Sequence, residues 1–235
     1  LGPIRACSPS AAREFVETFE TEVLGSESDD REASPRHDRH LDSRSVYEFL
    51  TQSSIVETIR SIYGSDLLLW SSHFWEKEPG EEGVPWHQER HFSAVEPPVT
   101  ATIDLALDPV DETSGCMGVI PGSHERAVPH TEADGAESQG YVDSRFVEEA
   151  ETVRIGLDPG EFVLYNARLL HRTYANETDR RRRSLSCRMT IPEVRIDSES
   201  PLLYSGHQSV VVSGTDGHGL NETTEPPASG SDTDR

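Results

Sequence analysis

Apolar residues in the first third of the chain recur at helical spacing. Ala12, Phe15, Val16, Phe19 and Val23 fall on one face, and Ser8-Pro9 places an N-cap hydroxyl before a proline at the first helical position. Val46, Tyr47, Phe49 and Leu50 mark a second short helix. Ile55, Val56, Ile59, Ile62 and Tyr63 mark a third, which Gly64 closes. Between the first two, residues 24–45 are rich in Ser, Asp, Glu and Arg and carry little apolar content. This composition predicts a mobile loop, a candidate lid or a segment ordered on binding.

Beyond Gly64 the pattern changes to short apolar runs with alternating character. Residues 67–75, 84–92, 99–107, 116–120, 153–157, 161–166, 169–174 and 184–191 read as strands. Turn chemistry separates them: Glu78-Pro79-Gly80, Glu96-Pro97-Pro98, Asp108-Pro109, Pro121-Gly122 and Pro159-Gly160. Residues 125–151 are polar with few apolar anchors and predict a second decorating loop with a short helix. Residues 216–235 have the composition of a disordered tail. Short helices followed by about eight strands predict a mainly β fold with flanking α-helices. The architecture expected is an antiparallel, cupin-like jelly roll forming a single domain over residues 1–215. A doubly wound sheet is excluded by the missing α–β alternation, and no glycine-rich phosphate loop or internal repeat is present.

Composition narrows the partner. The chain has 235 residues with 43 acidic and 21 basic side chains, a formal charge of −22. A nucleic-acid binder held by phosphate contacts needs a basic face, so that class is excluded. No apolar run approaches the ~18–20 residues that span a bilayer, and no segment reads as a signal peptide. Cys7, Cys116 and Cys187 are a sparse, odd set that suits a reducing cytoplasm. The expectation is a cytoplasmic protein with a small-molecule partner, without nucleic acid or membrane.

Two histidines stand out among ten. In Trp86-His87-Gln88-Glu89-Arg90, on a predicted strand, residues i and i+2 share a face about 7 Å apart along the chain. His87 and Glu89 therefore present an imidazole and a carboxylate to one point. His171, on a later strand, is a candidate third donor. Two histidines and one carboxylate on one face of an octahedron leave three positions open, the arrangement of non-haem Fe(II) oxygenases. An H-x-E pair is also common as packed or surface residues, so the surrounding text matters. Arg180 to Arg183 follow His171, and an Arg fork binds a carboxylate bidentately. The alternative for this run is a solvated turn, accepted for three of the four.

Several segments together resemble the phytanoyl-CoA dioxygenase family. They are His73-Phe74, Pro85-Trp86-His87-Gln88-Glu89, Asp108 through Met117, Ile120-Pro121-Gly122-Ser123-His124 and Asn166-Ala167-Arg168-Leu169-Leu170-His171. The resemblance covers roughly residues 46–215 and implies Fe(II)- and 2-oxoglutarate-dependent oxygenases on a double-stranded β-helix. It places the iron ligands at His87, Glu89 and His171. It places the 2-oxoglutarate arginine eleven residues after the distal histidine, at Arg182, with Thr173 as a hydroxyl that also contacts the cosubstrate. Lys77, the one lysine beside 20 arginines, sits in Lys77-Glu78-Pro79-Gly80. Contact with cosubstrate or substrate and a solvated turn are its two readings.

Three departures accompany the resemblance. Glu89 stands where the family usually has Asp; the carboxylate is kept, and its presence argues for oxygenation over chlorination. Asp104 occupies a position near the cosubstrate that is often Trp; a buried acid there is costly unless paired, and pairing with an Arg or binding of a cationic substrate are its two readings. Leu185, Cys187 and Met189 form the apolar set of the last strand, which taken alone would turn Arg183 inward. Arg182 is preferred because helices cover the outer face of the larger sheet in this fold. His91 continues the strand face of His87 and Glu89, with substrate positioning or a plain structural role as its readings.

The function implied is oxidation, foremost hydroxylation, of an unactivated C–H bond of a small metabolite, with natural-product biosynthesis as one setting. O2 and 2-oxoglutarate are consumed, and succinate and CO2 are released. Two alternatives stand beside it: a cupin-like metal enzyme that does not use 2-oxoglutarate, and a non-catalytic binding or sensing barrel.

Overall fold

The computed structural model describes residues 1–24, 35–131, 141–203 and 207–228. Three α-helices form where the apolar period predicts them: α1 (Pro9–Thr18), α2 (Arg44–Leu50) and α3 (Ser53–Tyr63). Ser8 caps α1 through the Ala11 amide, and Ser43 caps α2 through that of Val46. The last turn of the first helix widens to π geometry over Phe19–Val23.

The strands are β1 (Ile4–Arg5), β2 (Leu67–Lys77), β3 (Val95–Glu96), β4 (Ala101–Ala106), β5 (Met117–Val119), β6 (Val153–Ile155), β7 (Glu161–Asn166), β8 (His171–Thr173), β9 (Arg182–Thr190), β10 (Arg195–Ile196), β11 (Ser209–Ser213) and β12 (Thr223–Thr224). The major sheet has the order β1-β7-β4-β9-β2-β11-β12, and a minor sheet the order β6-β5-β8, with β10 and β3 paired separately. This is the mainly β jelly roll with flanking helices. Strands β1, β3, β10 and β12 are too short to show a period, because two residues carry none, and β11 (Ser209–Ser213), between Ser205-Gly206 and Ser213-Gly214, is a strand beyond those expected.

Strand β9 lies at the centre of the major sheet and presents two unlike faces. Leu185, Cys187 and Met189 pack with Phe15, Phe19, Ile55 and Ile59 of the helical layer in the main core. Ser184, Ser186 and Arg188 alternate onto the opposite face, toward the minor sheet. The register carries that inner face across the sheet: Lys77 opposes Arg182, His73 opposes Ser186, and Asp104 opposes Ser186 from the other side. The helical layer is locked by ring stacking, with Phe15 on Phe49 and Phe19 on Phe74 at centroid separations of 4.0 Å.

Four expectations change. Residues 84–92 do not form a strand. His87 makes a single bridge with His171, and the chain then turns into a 3-10 helix at Glu89–Phe92. Pro85 has no N–H to give on one side of the bridge, and the chain turns at Glu89 on the other, so the ladder does not extend. Second, residues 35–45 of the loop read as mobile are packed. Arg36 and Asp38 pair with the free edge of β2, where the Phe74 amide donates to the Arg36 carbonyl and the Asp38 amide to that of Ser72. Asp38, Arg39, His40 and Ser43 are buried, and residues 25–34 lie outside the described residues.

Third, the described ends of the 125–151 loop fold back on the 84–88 segment, with Val142 donating to the Trp86 carbonyl; residues 132–140 lie outside the described residues. Fourth, the segment expected as a disordered tail is ordered through Ala228. β12 pairs in parallel with β11, and Asn221 bonds Val194 and Ile196 through its side chain. Residues 229–235 lie outside the described residues. No helix among the described residues is long and apolar enough to cross a membrane.

Candidate metal centre

The bridge between the 84–88 segment and β8 brings two imidazoles together, with ring centroids 4.1 Å apart and ring planes tilted by 52°. His87 and His171 exchange both backbone hydrogen bonds, at 2.9 and 3.0 Å. Each Nδ1 lies 2.9 Å from the carbonyl two residues earlier, Pro85 for His87 and Leu169 for His171. A carbonyl only accepts, so both Nδ1 atoms carry the proton and both Nε2 atoms keep a lone pair. Those Nε2 atoms point at Glu89 Oε1, at 3.4 Å from His87 and 3.6 Å from His171. Gln88 is extended, so His87 and Glu89 share a side as an i, i+2 pair.

The three ligand atoms lie within 4.8 Å of one another. Neutral imidazole and carboxylate donors without thiolates fit a divalent ion such as Fe(II). The second layer is built to hold them. Gln88 is fully buried; its side chain donates to the Arg126 and Arg168 carbonyls and accepts from the Val128 amide, which ties three segments behind His87. Ser123 Oγ accepts from the Leu170 amide at 2.9 Å and sets the start of β8. These contacts explain the Gln of the W-H-Q segment and the Ser of P-G-S-H in mechanical terms.

Glu89 is held from behind by a residue that was not singled out in the sequence. Arg188 Nε donates to Glu89 Oε2 at 3.0 Å, and Nη2 donates to the same oxygen. Burial would raise the Glu89 carboxyl, but the Arg188 guanidinium beside it outweighs burial and holds it well below the usual range. His171 is pushed down by burial and by His87, with Glu89 acting against the shift. Tyr165 stands 4.9 Å from His171 between ring centroids, and burial pushes its hydroxyl well up.

A second group of side chains converges beside the donors. Lys77 and Arg182 oppose each other across β2 and β9 and are both buried. Lys77 Nζ donates to Thr173 Oγ1 at 3.2 Å, and the Val84 amide donates to the same hydroxyl at 3.0 Å. Lys77 is lowered to about 8, first by burial and then by Arg182. Arg182 Nε is buried without a hydrogen bond. The seat of Lys77 is tight: Gly115 has φ +85, and a Cβ there would sit 2.9 Å from Lys77 Cδ and 2.8 Å from the Tyr174 carbonyl. Asn176 donates to the Lys77 and Arg180 carbonyls and so sets the turn that brings Arg182 opposite Lys77.

The other arginines of the run are engaged elsewhere. Arg183 forks onto Asp108 at 2.7 and 2.9 Å and reaches Glu20. Arg181 binds Glu76 and Glu20, while Arg180 lies 4.0 Å from its neighbour Asp179. Two of the three expected to be a solvated turn are therefore ion-paired across the fold. Asp104 faces the same interior; burial raises its carboxyl, against Arg182 and a hydrogen bond with Ser184, and its Oδ1 is buried without a partner. The side chain of His91 lies outside the described residues.

The family model for phytanoyl-CoA dioxygenase matches residues 10–184. The chain belongs to the phytanoyl-CoA dioxygenase family. It is 31% identical over 124 residues to the dioxygenase lolE1 of Epichloe uncinata, covering 53% of this chain and 46% of that protein. The match spans about half the length of that relative. Among solved structures, the non-heme monooxygenase ThoJ in its apo form superposes with a TM-score of 0.81 at 20% identity, covering 100% of this chain and 86% of that one. CytC3 with Fe(II) and alpha-ketoglutarate superposes with a TM-score of 0.74 at 23% identity, covering 95% and 88%. These two likenesses concern the fold. Within the family frame, the donors His87, Glu89 and His171 and the cations Lys77 and Arg182 occupy one interior.

Proposed function

We propose that this chain is an Fe(II)- and 2-oxoglutarate-dependent dioxygenase that hydroxylates an unactivated C–H bond of a small metabolite. The carrying observation is that the His87–Glu89–His171 donor set and the buried Lys77–Thr173–Arg182 group open onto the same inner face. Two buried free cysteines, Cys116 and Cys187, and the half-buried Cys7 fit a reducing cytoplasm as its setting.

In this reading the donor triad holds the metal, and the residues from 1 to 215 act as one catalytic domain. Fe(II) bound there supplies O2 activation coupled to oxidative decarboxylation of 2-oxoglutarate. The chain's own residues do the rest. The two Nδ1–H···carbonyl bonds orient the imidazoles and fix their tautomer. Arg182, Lys77 and Thr173 receive the distal carboxylate of the cosubstrate, which gives the unpartnered Arg182 Nε an acceptor and Lys77 a counterion. Asp104, next to Arg182 and Ser184, borders that cosubstrate end.

Anaerobic titration with Fe(II) and 2-oxoglutarate, followed by the metal-to-ligand charge-transfer absorption, tests this. The wild-type chain develops the band, and His171→Ala and His87→Ala lose it together with metal binding measured by calorimetry. Arg182→Ala keeps the metal and binds 2-oxoglutarate more weakly by about 1.5–3 kcal/mol, or roughly 10- to 160-fold. Full activity in Arg182→Ala would favour a cupin-like enzyme that dispenses with 2-oxoglutarate. Absence of iron uptake and of succinate release with every substrate in a metabolite panel would favour a binding or sensing barrel.

A further inference from the structure

One group on the inner face has no part in the chemistry above. His73 on β2 and His37 on the edge segment form an antiparallel bridge, with ring centroids 3.8 Å apart in an edge-on arrangement. Trp75, two residues along the same face, lies 3.7 Å from His73 between ring centroids and is anchored by its indole N–H to Ser186 Oγ at 2.8 Å. His73 Nδ1 is buried and has no hydrogen-bond partner. An imidazole nitrogen in that state forfeits a hydrogen bond unless a ligand supplies one.

The group runs from solvent toward the metal ligands. His37 and Trp75 are exposed at the rim, His73 is half-buried, and Arg188 at the inner end grips Glu89. Arg188 spends Nε and Nη2 on Glu89, while Nη1 makes no hydrogen bond to a described residue. The cations nearest His73 are Arg188, paired with Glu89, and Arg36, paired with Glu76. Asp104, on the far side of Ser186, turns toward Arg182 and Ser184.

We propose that His37, His73 and Arg188 bind an oxyanionic group of the substrate, a carboxylate or a phosphonate or phosphate, with Trp75 as the apolar wall. The site thus selects small acidic substrates and hangs the remainder of the molecule over the metal centre. This deepens the oxygenase assignment and rests on it for the word substrate, while the anion subsite itself belongs to the free chain.

The test is a fluorescence titration of the full chain with acetate, methylphosphonate and ethylammonium. It is run both metal-free and loaded with Mn(II) and 2-oxoglutarate. Trp75 is the reporter, identified by loss of the response in Trp75→Phe. The expected result is a saturable response to one or both anions and none to ethylammonium. The tighter anion names the source of the group. His73→Phe should weaken that binding at least tenfold, and His37→Ala, at the exposed rim, severalfold; His73→Gln, which keeps a donor, should recover much of the loss. Calorimetric binding of Mn(II) and 2-oxoglutarate is measured on the same protein. Retained metal and cosubstrate binding without any His73-dependent anion response overturns the subsite alone. A response to ethylammonium in place of the anions overturns it as well. Loss of metal and cosubstrate binding with the anion response intact overturns the oxygenase assignment and leaves an anion-binding barrel.

Discussion

At the residue scale, the site depends on side chains whose protonation the fold has adjusted. Lys77 is the clearest, because burial and the facing Arg182 bring it to about 8. A bound carboxylate favours the charged form, so the lysine pKa rises on binding and the complex takes up a proton above pH 8. The affinity for 2-oxoglutarate should therefore be flat below about pH 7 and fall by up to roughly tenfold per pH unit above about 8. Calorimetry across that range reads it, and Lys77→Arg should flatten the profile; a flat wild-type profile would remove Lys77 from the cosubstrate site. Glu89 shows the complementary device. Its side chain is one methylene longer than the usual aspartate, and Arg188 holds the outer oxygen while Oε1 stays with the histidines. Lys77 and Glu89 were visible in the chain, one as a solitary lysine and one in an H-x-E pair. Arg188 was not, since it lies 99 residues from Glu89 and carries no motif.

At the scale of elements, the division of labour lies in β9. Its apolar residues serve the helix-covered core, and its polar residues serve the interior. The parity that taken alone favoured Arg183 is resolved because the apolar face is the outer one, under α1, α2 and α3. Phe19 and Phe74, both fully buried and stacked, join the helical layer to β2. Phe74→Ala should cost about 3–5 kcal/mol in urea or thermal unfolding, by lost transfer energy plus a cavity. The same change also loosens β2 beside His73, so anion binding should weaken with it. A cost below about 1 kcal/mol would mean that the helices do not rely on this stack. The 84–88 segment shows why strand reading fails locally. A single bridge is enough to place His87 opposite His171, and side-chain bonds from Gln88 replace the ladder.

At the scale of the molecule, distant pieces of chain are tied by buried polar contacts. His207, 2% exposed, packs near the β2 backbone and Asp38, and burial lowers it to about 4 despite a hydrogen bond at Trp70. The folded state keeps this imidazole neutral while the unfolded chain takes up a proton near 6.5, so the unfolded state binds more protons between those values. Stability is thus fully present above pH 6.5 and falls as pH drops, by up to about 1.4 kcal/mol per pH unit until about 4. Unfolding curves against pH should show this slope, and His207→Gln should reduce it; an unchanged slope would assign acid sensitivity elsewhere. The formal charge of −22 adds a separate background, because carboxylate repulsion weakens on acidification.

Local order along the chain suffices for three helices, most of the longer strands, and the pairing of His87 with Glu89. Those features follow from periods of 3.6 and 2 and from capping and turn residues, which act over a few positions. The likeness of several short segments to one family then points to His171, Thr173 and Arg182. The remaining features depend on contacts far apart in sequence, to which periodicity is blind. They include the sheet edge built from residues 36–38, the strand that orders the C-terminal segment, the Arg188 grip on Glu89, and the His37–His73–Trp75 group. Each is a side chain or backbone edge satisfied by a partner brought near by folding, and that is a property of the packed molecule.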